Sequence, residues 1–232
     1  MDTHTRHSSA PAPAQDVSAT QRAYLEIRRM IVVGDLQPGK KLKIDGLRTL
    51  LEIGASPIRE ALSLLTSDQL VERIDQRGFR TAAVSRENFN DILSLRCTLE
   101  EMALRQSIAN ASEAWEDELV LSHHRMLRET RDHIEGFEAR HKAFHMALLS
   151  ASSSPLLLKL CSQLYDLNIR YRYLAGKSLN YTKRDVSSEH DNILRAALER
   201  NADQAAELLL SHYRKTGAFL TGLIATSEDT QG

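Results

Sequence analysis

The chain has little with which to cross-link itself or sit in a bilayer. Its two cysteines, Cys97 and Cys161, fall inside helical patterns without a CxxC spacing. Buried free thiols in a reducing cytoplasm are therefore expected rather than a disulfide. No apolar run approaches membrane-spanning length, so no membrane partner is expected. The first residues, M1-D-T-H-T-R-H-S-S-A-P-A-P-A14, contain no apolar h-region and read as a disordered tail, not a secretory signal. No nucleophile elbow, P-loop or dinucleotide fingerprint occurs. H141-K-A-F-H145 has lysine where a zincin would carry its general base. An enzyme is not expected.

Hydrophobic content of 42% and charged content of 26% suit an ordinary globular protein. The net charge of −1 hides an asymmetry. Residues 17–84 carry 11 Lys/Arg against 8 Asp/Glu, whereas residues 85–232 carry 18 against 21. The mildly basic first part permits nucleic-acid binding without demanding it.

Helical periodicity begins near Thr20, with Tyr24, Ile27, Met30 and Ile31 in step, and stops at G34-D-L-Q-P-G39. A short helix is expected from about Asp45 to Glu52. In G54-A-S-P-I-R-E-A-L-S-L-L65, Ser56 suits an N-cap and Pro57 a first helical position. Ile58, Leu62 and Leu65 would then face inward, with Arg59 and Ser63 outward. L70-V-E-R-I-D75, the turn at Gln76-Arg77-Gly78 and F79-R-T-A-A-V84 predict a β-hairpin. Three short helices and a hairpin describe a winged helix-turn-helix.

After Ser85 the pattern is helical throughout. Helices are expected from Ser85 to about Asn110 (Ile92, Leu95, Leu99 and Met102 inside), Ser112 to Asp132 and Ile134 to Ser150. Three more follow from Leu156 to Ala175, Lys183 to Arg200 and Ala202 to Ala225, with Asn201 as a C-cap. The expected fold is mainly α, an N-terminal winged helix-turn-helix followed by an all-α six-helix bundle. Its divisions are a tail at 1–16, a DNA-binding domain at 17–84, a helical effector-binding domain at 85–226 and a frayed tail at 227–232.

The turn G34-D-L-Q-P-G39, Tyr24, Leu42, Leu47, the run Pro57-Ile58-Arg59-Glu60-Ala61-Leu62, Leu65, Leu70-Val71 and Arg77-Gly78 carry a resemblance. They are similar to the N-terminal domain of GntR-superfamily transcription regulators. The helical remainder, including R96-C-T-L-E100, resembles the FadR-like branch with an FCD-type ligand-sensing domain. The resemblance implies a one-component regulator that binds a near-palindromic DNA operator as a homodimer. Its recognition helix would span Ser56 to Thr66 in the major groove. Arg59 is the candidate for reading guanine, Ser56 for meeting phosphate, and Arg77 and Gly78 for the wing tip. Two positions depart from the family. Gly54-Ala55-Ser56 replaces the usual Ser-Arg-Thr, and Asp45 stands where a basic residue is common. Phosphate binding would then lean on Lys40, Lys41, Lys43, Arg48 and Arg77. Arg28 and Arg29 are either phosphate contacts or a solvated helix face.

His141 and His145 lie one helical turn apart, a spacing that suits two metal ligands but recurs by chance. His190 and His212 sit among apolar residues on the last two helices. Four histidines facing one interior are hard to explain as packing, because each neutral ring brings two polar nitrogens needing partners. The resemblance sharpens this. Metal-binding members of the branch carry D-x-x-x-H on one helix, EH on the penultimate helix and H on the last. Here these are His141/His145, Glu189-His190 and His212, with His141 in the aspartate's place. Zinc or nickel is the expected cofactor, and an anionic effector, a small organic acid, the expected ligand. Arg96 is either a carboxylate clamp for that effector, as the resemblance implies, or an internal partner of Glu100. Asn168 is a further pocket candidate. The alternative is a metal-sensing repressor in which the metal is itself the signal. The histidines at 4, 7, 123, 124 and 133 are expected in solvent.

Overall fold

The computed structural model describes residues 17–75, 77–129, 134–175 and 186–228. The elements run α1 (Ala19–Val33), β1 (Lys41–Leu42), α2 (Ile44–Leu51), α3 (Ala55–Ser67), β2 (Val71–Ile74) and β3 (Gly78–Thr81). They continue as α4 (Arg86–Ala109), α5 (Glu113–Arg128), α6 (Ile134–Leu149), α7 (Pro155–Ala175), α8 (Val186–Leu198) and α9 (Ala202–Glu228). The fold is a winged helix-turn-helix followed by an all-helical bundle, as the periodicity predicts. The expected tail at 1–16, Gln76, Asp132, His133, the start of the fifth bundle helix and residues 229–232 lie outside the described residues.

Helix α1 starts where the Ser18 hydroxyl accepts a hydrogen bond from the Gln21 amide, and ends at Gly34 with φ +88°, a conformation glycine adopts without steric cost. Helix α4 starts the same way, Ser85 accepting from the Asn88 amide, and α5 at Ser112. Helix α3 begins two residues earlier than expected. Extended Gly54 takes the cap position and no side chain caps it. Ser56 and Pro57 therefore lie within the first turn, where the missing proline N–H still lacks an intrahelical partner to lose. Asn201 is likewise a starting residue. Its side chain accepts from the Gln204 amide, and the left-handed residue closing α8 is Arg200, φ +57°.

The sheet has three strands, ordered β1-β3-β2 and antiparallel, with Leu42 opposite Phe79 and Glu72 opposite Arg80. Strand β1 was not expected, since two residues are too short for an alternating pattern to register. The returning strand stops at Thr81 rather than Val84. The buried Thr81 hydroxyl donates to the Gln37 carbonyl at 2.5 Å and accepts from the Lys40 amide at 3.0 Å, tying the β1 approach to the wing.

Ile27, Ile31, Ile58, Leu62, Leu65, Val71 and Phe79 form the core of the winged module. That core continues into Phe89 and Ile92 of α4, Leu167 and Tyr171 of α7 and Leu220 of α9. A second core joins Leu104, Trp115, Leu119, Phe144, Leu148, Ile193 and Leu209 in the bundle. Helix α4 turns out rotated from the expected stripe. Leu95 and Met102 are 53% and 45% exposed, while Arg96, Glu100 and Ser107 are buried. Gly217 lets α9 close on α4, since a Cβ there would meet Leu93 Cδ2 at 2.3 Å. Cys97 and Cys161 are both free, and burial pushes the Cys161 thiol up to about 12. Among the described residues no helix is long and apolar enough to cross a membrane.

Candidate functional site

Helices α6, α8 and α9 bring His141, His145, His190 and His212 together, all buried, with one ligand atom from each lying within 4.8 Å of the others. His141 Nε2 is 3.2 Å from the Nε2 of both His145 and His190. Burial, reinforced by neighbouring charges, holds His141 and His145 well below their ordinary value and takes His190 down to about 2. All three rings are neutral near pH 7, the form that ligates a metal.

The outer nitrogens decide which lone pairs face inward. His212 Nδ1 lies 2.8 Å from Glu189 Oε2, so it carries the proton and leaves Nε2 bare. His145 Nδ1 lies 2.9 Å from the Tyr213 hydroxyl. Tyr213 gives its one proton to Glu100, and its own pKa is raised by burial and then by that carboxylate. The Tyr213 oxygen must therefore accept from His145, which again leaves Nε2 bare. Partners of this kind orient metal-binding imidazoles. His141 differs. Its Nδ1 is 2.5 Å from the Tyr165 hydroxyl and 3.1 Å from Arg172 Nη1, which can only donate. In this arrangement Nδ1 accepts, and the His141 proton sits on Nε2, the nitrogen that lies 3.2 Å from His145 Nε2 and from His190 Nε2.

Ligands about 2.0–2.1 Å from one ion sit roughly 2.9–3.4 Å apart in tetrahedral or octahedral geometry. The 3.2 Å nitrogen separations match that range. The four histidines could hold a metal ion once the His141 proton moves to Nδ1.

Beside the histidines, Leu93, Arg96, His141, Asn168, Arg172, His212, Tyr213, Thr216 and Gly217 enclose a cavity of about 10 Å³, room for roughly one water. Arg96 makes the internal pair: its Nε reaches Glu100 at 2.5 Å and Nη1 reaches Asn168 Oδ1 at 3.0 Å. The guanidinium lies between the rings of Tyr165 and Tyr213. Arg172, paired with Glu138 at 2.9 Å, is the cavity arginine that the sequence reading missed. Its signal was the four-residue step from Asn168, which puts both on one face of α7.

At the other end, Ser56, Arg59, Lys43, Arg48, Arg77 and Gly78 are all exposed. Ser56 and Arg59 share α3, and Arg77 and Gly78 form the wing turn, where Gly78 has φ +93°. Arg48 is tied to Asp45 at 3.1 Å. Arg28 and Arg29 do not stand as a free solvated face, because both are ion-paired. Arg28 pairs with Asp166 of α7, and Arg29 with Glu26 and Glu135. His124 is exposed as expected, but His123 is buried against Phe144 and lies 3.1 Å from Asp191. A helical face can bury an imidazole whose rim reaches one surface carboxylate, and the local pattern does not reveal it. His4, His7 and His133 lie outside the described residues.

A winged module joined to a helical bundle that buries a polar centre defines a DNA-binding regulator with a sensing domain. Residues 19–80 match the model of the bacterial regulatory proteins of the gntR family, and residues 91–215 match the FCD domain. The chain is 36% identical over 212 residues to BphR, an HTH-type transcriptional regulator of Paraburkholderia xenovorans, covering 88% of this chain and 86% of that one. It is 29% identical to the HTH-type transcriptional repressor GlaR of Escherichia coli, covering 82% and 90%. The structure of E. coli McbR/YncC superposes with a TM-score of 0.78 at 20% identity, covering 90% of this chain and 99% of that one. The chain belongs to the GntR family of transcription regulators, in its FCD-containing, FadR-like branch.

Proposed function

We propose that the chain is a ligand-responsive regulator acting as a homodimer in the cytoplasm. Residues 17–84 read one half of a near-palindromic operator, and residues 85–226 sense a small carboxylate beside a bound zinc or nickel ion. The observation that carries this reading is the convergence of four buried histidine nitrogens within 4.8 Å. Imidazole suits both metals. His141, His145, His190 and His212 hold the ion, which supplies a Lewis-acidic position for a carboxylate oxygen.

Charge selects the effector's sign. Arg96 is balanced by Glu100 and Arg172 by Glu138, so the ion's double positive charge stays uncancelled by the four neutral rings. A metal held through His141 Nε2 would require the ring proton on Nδ1, where the Tyr165 hydroxyl oxygen could accept it and Arg172 could no longer donate. Because the cavity as it stands holds about one water, an effector must push α4 and α9 apart near Leu93 and Gly217.

That displacement has a route to DNA. Asn168 and Arg172 of α7 face the cavity, while Leu167 and Tyr171 of the same helix pack into the winged core. The Tyr171 hydroxyl reaches Asn88 Oδ1 at 2.7 Å and Ser85 O at 3.3 Å, at the start of α4. Coupling of this kind is typically ~1–3 kcal/mol and reciprocal: an effector that weakens operator binding must itself bind less tightly to the operator complex, by the same factor. On the DNA side Arg59 reads a base, Ser56 and Lys43 meet phosphate, Arg48 is a phosphate contact held back by Asp45, and Arg77 and Gly78 form the wing contact.

The test measures bound metal in the purified protein and in a His145→Ala/His190→Ala variant, then operator affinity with a panel of organic acids. Metal near one per chain that is lost in the variant, with affinity responding only to carboxylates, is expected. Equal metal content in the two proteins overturns the site. Affinity that follows metal removal alone, indifferent to every carboxylate, makes the ion itself the signal.

A further inference from the structure

Three arginines are buried among the described residues, and two of them have carboxylate partners, Arg96 in Glu100 and Arg172 in Glu138. Arg170 has none. It is 3% exposed, its Nη2 donates to the Ala82 carbonyl at 2.6 Å, and its shielded Nε finds no acceptor among the described residues. Glu72, the carboxylate whose field reaches it, is held by Arg80 at 2.6 Å and by the Ala83 amide at 3.4 Å. Burial lowers the Arg170 pKa, as expected of a cation without a counter-ion. A charge in that position is costly unless an anion joins it.

Arg170 forms part of the wall of a cleft of about 550 Å³ between β2 of the winged module and helices α4 and α7 of the bundle. Small-molecule sites typically enclose roughly 300–1,000 Å³. Asn88, Thr66, Gln69 and Tyr171 bring hydrogen-bonding side chains to its walls, and Val71 and Leu167 bring apolar ones. The residues of α7 that face the histidine cavity, Asn168 and Arg172, are not among them. We propose that this cleft is a second small-molecule site, distinct from the histidine centre, that takes an oxyanion-bearing ligand on Arg170. The oxyanion meets the guanidinium in a charge-assisted hydrogen bond, the strong kind in a shielded setting. The body of the ligand lies along Val71 and Leu167. Such a ligand touches β2, α4 and α7 at once and fastens the winged module to the bundle from outside the effector cavity.

Calorimetric titration of the full-length, chelator-treated protein with citrate, benzoate and inorganic phosphate tests the site and separates organic from inorganic oxyanions. Saturable binding of at least one probe is expected, weakened at least tenfold in Arg170→Met and partly kept in Arg170→Lys. The titration uses metal-free protein, and a probe that binds the histidine cavity instead is indifferent to Arg170 and to the cleft wall, so either site can fail without the other. If Arg170→Met does not fold, Ala83→Leu decides, because it fills the cleft from an exposed wall position and leaves the arginine in place. It must weaken the same titration. No saturable binding of any probe, or binding that survives both Arg170→Met and Ala83→Leu, overturns the proposal and leaves Arg170 as a clamp on the Ala82 carbonyl.

Discussion

At the histidine centre the polar groups are chained to one another across helices. Glu100 receives Arg96 and Tyr213, Tyr213 orients His145, Glu189 orients His212, and Glu138 holds Arg172 against His141. On the face that carries Arg59, Lys43 and Arg77 the side chains stand in solvent, and Arg48 is tied to Asp45 in an exposed pair. The first region is held in a low-dielectric interior, where a missing partner is expensive. The second is screened by water and salt, where a missing partner costs little until DNA arrives. Substitutions should therefore damage stability at the centre and leave it intact at the face, where the loss falls on recognition.

The largest expected effect tests that contrast directly. Glu100→Ala strips Arg96 of its counter-ion and Tyr213 of its acceptor inside the bundle. A loss of about 3–5 kcal/mol is expected in chemical denaturation, the usual cost of breaking a buried pair by removing one partner. A loss under about 1 kcal/mol would mean that water or a rearranged neighbour replaces the carboxylate, and that the centre is no stiffer than the surface.

Next comes acid. The folded-state pKa of His190 is pushed to about 2 from the ordinary 6.5, by burial first and His212 second. Below about pH 6.5 the unfolded chain binds a proton that the folded metal-free chain refuses. Stability is thus complete above that pH and falls as pH drops toward the folded pKa. The slope is about 1.4 kcal/mol per pH unit for each such histidine, and His141 and His145 shift with the same sign. For His190 alone the loss between pH 6.5 and 5.0 is about 2 kcal/mol. Denaturation midpoints of chelated protein across that range check it, and a flat profile would put the histidines in solvent.

How far each region was legible follows the same division. The winged module declared itself through surface and turn chemistry, because Pro57, Arg59 and Gly78 act locally, as does the Ser85 cap that opens the bundle. The histidines were legible because four of them recur among apolar residues. Their supporting groups were not. On α4, an apolar count placed Leu95 and Met102 inside, yet the helix buries Arg96, Glu100 and Ser107 and turns those two residues to solvent. A face that buries ion pairs looks polar in sequence, so hydrophobic periodicity misreads its phase. Glu138, Tyr165 and Arg172 were missed for the same reason. Their partners lie on other helices, and no spacing along the chain records such a pairing. Strand β1 escaped because its two residues are held by the Thr81 hydroxyl's grip on the preceding loop and by pairing with β3, both non-local.

At the DNA face, Arg59→Ala should leave unfolding unchanged within about 0.5 kcal/mol, as expected for an exposed position. It should reduce discrimination between operator and random DNA by about 1–3 kcal/mol, the worth of one good base contact. Competition binding at fixed salt measures both affinities. Full discrimination retained by the variant would remove Arg59 as the reading residue and move recognition to the wing.

The smallest effect concerns the residue that departs most from the family's DNA face. Asp45 places a carboxylate where a basic residue is usual, and it engages Arg48 at 3.1 Å with both side chains largely in solvent. An exposed pair of this kind contributes roughly 0–1 kcal/mol to folding, so Asp45→Ala should scarcely move the denaturation midpoint. Its consequence lies in binding. Without Asp45, Arg48 is free to neutralise a phosphate, and one repulsive charge leaves the surface that meets DNA. The dependence of log affinity on log salt should then steepen by about 0.9, one phosphate's share. Affinity should rise at low salt and converge with the parent as salt increases. Arg48→Ala on its own should leave the slope nearly as it is, because in the parent that guanidinium is already occupied. If Asp45→Ala leaves the slope unchanged while Arg48→Ala flattens it, the pair opens on DNA without help. Asp45 would then be an ornament of the free protein rather than a brake on binding.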